Sequence, residues 1–202
     1  MFVQALRVAL HIALFKSGPQ DMPYSVPLAR AAVAMAIAST MLLLAPVTPM
    51  PLAFATGAGG VAGVAFFTRQ LLRGRKLENR WLQTFTAQLL VGSLFALAMW
   101  PAFMAMAPSM LEVMEQMRSG MTAAAEGREA APLDLQALQI NPPAWAALWT
   151  DVLFLWSLVV TVRINRLAAD LGRPSSWLLT LLSLFVLGGF IVIAQILVGL
   201  FV

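Results

Sequence analysis

Asp151 stands inside an apolar run, AWAALWTDVLFLWSLVV, shortly after Pro142-Pro143. A carboxylate at membrane depth costs about 2.5–3.5 kcal/mol on insertion scales, so a chain that keeps one has a use for it. At ~1.5 Å of rise per residue, Asp151 falls roughly level with Ser39, Thr40, Thr56 and Ser93 on neighbouring apolar runs. No base shares that level. Two readings are open: proton or cation binding, which would serve a small-solute or ion transporter or channel, or a structural hydrogen bond to one of those hydroxyls.

The second chemical feature is methionine. Met99-Trp100-Pro101-Ala102-Phe103-Met104-Ala105-Met106 continues to Met110, Met114, Met117 and Met121. Thioether sulfur is soft and suits Cu(I), so copper handling is one reading. The last four also fall at i, i+4, i+7 and i+11, one stripe of a helix, with Glu112, Glu115 and Arg118 pointing elsewhere. Such a stripe makes an adaptable docking surface or packs on apolar neighbours, and this reading ranks above copper.

Little else could do chemistry. The chain has no cysteine and one histidine, His11, which excludes thiolate and multi-histidine metal sites. There is no P-loop, no G-x-S-x-G and no H-E-x-x-H. The expectation is a non-enzymatic protein with no cofactor. Bases outnumber acids 13 to 9, but they flank apolar runs instead of forming one patch, which points to membrane topology and not to nucleic acid.

The elements that position these residues are long apolar runs. Of 202 residues, 60% are apolar and 11% charged, against about 25% charged in soluble domains. Five spans are expected, at about 26–44, 52–67, 81–107, 144–162 and 177–202. The fold class is therefore an all-α, polytopic five-helix transmembrane bundle with an outer loop at 108–143. Residues 1–15 are too short to cross a ~30 Å core. Their polar residues Gln4, Arg7 and His11 line one stripe, as in an interfacial amphipathic helix, and residues 1–25 form a cytoplasmic segment. The second span carries Gly57, Gly59, Gly60 and Gly63, read as helix-packing positions that place it centrally in the bundle. Gln88 and Gln195 read as interhelical hydrogen-bonding residues.

Orientation follows from the bases. Grouping the N-terminal segment with loops 69–80 and 163–176 puts eleven of thirteen bases on one side, leaving Arg118 and Arg128 on the other. By the positive-inside rule the N-terminus is cytoplasmic and the C-terminus outside, in an inner (plasma) membrane. Tyr24, Trp81 and Trp177 mark the inner boundary and Trp100, Trp145 and Trp149 the outer one, with only Trp156 left in the core.

Five spans, Gly18-Pro19 before the first, and the run Arg73–Ala87, RGRKLENRWLQTFTA, across the basic loop resemble the Yip (Ypt-interacting protein) family and its small bacterial relatives. The resemblance implies a membrane-embedded organising or trafficking-type protein. Together these readings favour a scaffold or subunit of a larger membrane complex, with lipid and a membrane-protein partner or a second copy as its contacts.

Overall fold

A computed structural model describes residues 1–125 and 142–200, excluding the side chains at 121 and 123–125. The described residues form six helices: α1 (Phe2–Ala13), α2 (Val26–Leu44), α3 (Met50–Gly74), α4 (Trp81–Ala125), α5 (Ala144–Ala168) and α6 (Arg173–Gly199). The last five are each long and apolar enough to cross a membrane. The chain is a multi-span, all-helical membrane protein.

The helix starts follow local chemistry. Ser25 caps α2, its Oγ accepting from the Leu28 amide at 3.3 Å, with proline in the first turn. Proline or glycine precedes α3, α5 and α6. Three helix ends share one device. Phe15, Lys76 and Asp170 adopt φ of 60°, 59° and 50° just past α1, α3 and α5. The following amides, of Lys16, Leu77 and Leu171, reach back to the carbonyls of His11, Leu72 and Arg166. This is the Schellman closure, made here by side chains where glycine is usual.

Several boundaries differ from the sequence expectation. The second span is not short: α3 runs on through the basic segment to Gly74, because Leu71 and Leu72 are buried against Ala168 and Ala169 at the end of α5. The third span does not stop at 107. Residues 108–125, expected in the outer loop, continue α4 as helix past Pro101 and Pro108. At ~1.5 Å per residue this helix is roughly twice as long as a ~30 Å hydrocarbon core is thick. The remainder of that expected loop, 126–141, and the last two residues of the fifth span lie outside the described residues.

α4 is the most connected helix, packing on α1, α2, α3 and α5, while α3 packs on α6, α2 and α4. The main core gathers Phe85 and Leu90 of α4 with Val160 and Ile164 of α5 and Leu28 and Ala32 of α2. α1 joins it through Ala5, Ala9, Ile12 and Ala13, one face of the helix, leaving Gln4 and Arg7 exposed and His11 half-buried. The expectation for α1 was a helix resting on the membrane surface. Its last carbonyl, on Ala13, accepts a 2.9 Å hydrogen bond from the indole of Trp156, near the middle of α5. The end of α1 therefore seats against the flank of the bundle, and the one tryptophan that matched neither boundary has its partner there.

One end of the bundle is tied by arginine. Arg75 Nε donates to the Ala169 carbonyl at 3.2 Å, and Arg80 Nη1 donates to Ala168 O at 3.3 Å and to the Asp170 carboxylate at 3.0 Å. These are the orphan carbonyls at the C-terminus of α5, where the helix dipole is negative and cations are favoured. Gln83 Nε2 donates to Met22 O at 2.8 Å, bringing the segment before α2 to the same end.

Candidate functional site

The most connected polar feature is a buried chain that crosses four helices. Thr68 Oγ1 of α3 donates to Gln88 Oε1 of α4 at 2.5 Å. Gln88 Nε2 donates to Asn165 Oδ1 of α5 at 2.9 Å, and Asn165 Nδ2 donates to Thr180 Oγ1 of α6 at 2.9 Å. Thr68, Asn165 and Thr180 are fully buried. Every link runs in the same direction and satisfies a group that would be costly if unpaired. No member ionises in the physiological range, so the chain sets helix register and cannot by itself take up charge.

Gln88 also lines a cavity of about 200 Å³ between α2, α3 and α4. Ser39, Thr40 and Ser93 share its walls. Their hydroxyls donate to carbonyls of their own helices, Ser39 and Thr40 to Ala36 at 3.1 and 2.9 Å and Ser93 to Leu89 at 2.8 Å. The cavity therefore meets oxygen lone pairs and apolar surface. Thr56 is engaged elsewhere: it donates to Leu52 O at 2.8 Å and accepts from Gln195 Nε2 at 2.9 Å, tying α3 to α6.

Asp151 does not join this group. It is exposed on α5, does not line the cavity, and has no hydrogen bond or ion pair among the described residues. Levels counted along helices say nothing about which way a side chain turns, and α5 turns Asp151 outward.

The four glycines separate into two kinds. Gly57 faces the Ile37 backbone of α2, while Gly59 and Gly63 face Phe190, Ile191 and Leu187 of α6, each so closely that an added Cβ would lie at 3.1 Å or less from a backbone atom. Gly60 differs from the expectation for it. Nothing lies within 4 Å of its Cβ position, and it lines the cavity as Gly92 does across from it. It opens space where the other three close it.

The methionine stripe is split as well. Met110 packs on Ala102, Met106 and Ala146, where α4 meets the start of α5. Met114 and Met117 are 48% and 52% exposed, beside exposed Leu111, so the described residues leave this face open. The side chain of Met121 lies outside the described residues.

Asn165 and Thr68 were not legible as candidates, because both fall beyond the ends of the expected spans and read as loop. Only their helical continuation makes them interior. Gln88 and Gln195 were legible, and both do bond across helices. The chain matches no protein-family model, no curated protein and no solved structure.

Proposed function

We propose that this chain is a non-enzymatic scaffold, or a subunit of a larger membrane complex, which docks a protein partner or a second copy through the end of α4. The observation that carries this reading is the length of α4. It continues as helix for about 22 Å past Met110, the residue that still packs against the start of α5, with Leu111, Met114 and Met117 exposed on it. Flexible thioether side chains suit a surface that adapts to a partner. A second reading, a small-solute or ion transporter or channel using Asp151, would have that carboxylate act from the exposed face of α5 and not from the polar cavity. The resemblance to Yip proteins points the same way as the docking reading. In this proposal the arginine-tied end of the bundle is cytoplasmic in an inner membrane, the C-terminus is outside, and the far end of α4 is therefore outside too.

A photo-crosslinking residue placed at Met114 or Met117 in cells tests it. The expected result is a covalent protein adduct of defined mass, absent when the same residue replaces Glu112 on the opposite helix face. Equal adducts on both faces, or crosslinks to lipid only, would overturn the docking reading.

A further inference from the structure

We infer that the flank between α1 and α5 binds one anionic phospholipid, with the phosphate on Arg163 and an acyl chain in the groove beside Trp156. The groove is about 370 Å³, walled by residues such as Leu10, Phe95, Val152 and Trp156. Its two indole N–H groups are already used. Trp149 donates to Ala98 O and Trp156 to Ala13 O, both at 2.9 Å. With no donor left in the walls, the occupant of the groove is hydrocarbon.

The wall leads from there to a charge. The Phe15 ring lies 5.4 Å from that of Trp156, and the Arg163 guanidinium sits over Phe15 at 5.3 Å. Arg163 Nη1 is buried and has no hydrogen-bond partner among the described residues. A guanidinium is always charged, and its planar fork matches phosphate oxygens. Exposed Lys16 follows Phe15 in the chain. A neutral hydrocarbon would leave the guanidinium without a counter-charge among the described residues, and a soluble anion would leave the groove unused. An anionic lipid satisfies both.

The dimensions agree. Arg163 lies roughly 10 Å along α5 from Trp156 and roughly 20 Å from Trp149. One leaflet of a ~30 Å core spans about half that core, so a chain anchored at Arg163 reaches the groove. Phe15 stands at φ 60°, where bulky residues are rare. The Schellman closure and the tilted contact with Trp156 hold it there, as the wall between phosphate and tail.

The test uses the full chain in mild detergent, titrated with dioleoyl-phosphatidylglycerol or dioleoyl-phosphatidylcholine and read by native mass spectrometry. One phosphatidylglycerol per chain should be retained, about tenfold more tightly than phosphatidylcholine. Arg163→Gln should remove about that factor, and Arg163→Lys should keep the preference for the anionic lipid. Ala98→Phe, which fills the groove while leaving every charge in place, should weaken binding of both lipids. Should Arg163→Gln aggregate, the wild-type lipid preference and the Ala98→Phe loss decide the matter. Uptake of several lipids without preference would mean annular lipid only and would overturn the site. So would unchanged phosphatidylglycerol binding in Arg163→Gln. Displacement by glycerol phosphate would make it a site for soluble anions and overturn the lipid assignment.

Discussion

Alanine at Gly59, Gly63 and Gly60 should produce three different stabilities from one chemical change. An added Cβ at Gly59 would lie 2.8 Å from the Phe190 carbonyl oxygen and 2.9 Å from Ile191 Cα, both backbone atoms of α6. Backbone cannot rotate away, so α3 and α6 must separate by several tenths of an ångström along their shared face. Overpacking of this kind costs about 1–3 kcal/mol, against a gain of about 1 kcal/mol in helix propensity. At Gly63 the nearest atoms are Leu187 Cα and Cδ1, both at 3.1 Å, and part of that strain can be relieved by a rotamer change. At Gly60 no atom lies within 4 Å, so the propensity gain stands alone. The order of stability should be Gly60→Ala at or above wild type, then Gly63→Ala, then Gly59→Ala, below wild type by up to about 2 kcal/mol. Thermal unfolding in detergent, followed by circular dichroism, should separate the extremes by about 2–12 °C. Gly59→Ala melting with or above Gly60→Ala would refute the packing of α3 on α6.

The buried polar chain predicts that Asn165→Ala loses about 1–2 kcal/mol, because the Gln88 amide and Thr180 hydroxyl lose their partner. A double-mutant cycle with Gln88→Ala should show coupling, and strict additivity would count against the link. Asp151→Asn should assemble and melt like wild type, since the carboxylate is exposed and makes no contact among the described residues. A folded Asp151→Asn protein that lost all cellular function would move transport to first place. An alkaline phosphatase fusion at the C-terminus should be active and a green-fluorescent one dark. The reverse pattern would invert the proposed orientation.

Span number, class and the grouping of basic segments were legible because hydropathy and charge are properties of the chain read along its length. The Arg80 and Gln83 bonds bring the segment before α2, the α3–α4 turn and the α5–α6 turn together at one end. Close packing of the glycine-rich helix on its neighbours was legible for the same reason, since closely spaced glycines have few other uses in lipid. What tertiary structure decided is rotation about each helix axis and where each helix stops. Rotation put Gly59 against α6 and Gly60, one residue on, against empty space. It also turned Asp151 out of the cavity that Ser39, Thr40 and Ser93 share. Helix length carried Thr68 and Asn165 from apparent loops into the interior, where Gln88 and Thr180 complete their bonds. Phe15 lies far from Trp156 and Arg163 in sequence and meets them only because α1 folds back onto α5. Periodicity reports that a face exists, and only packing against a neighbour determines what that face meets.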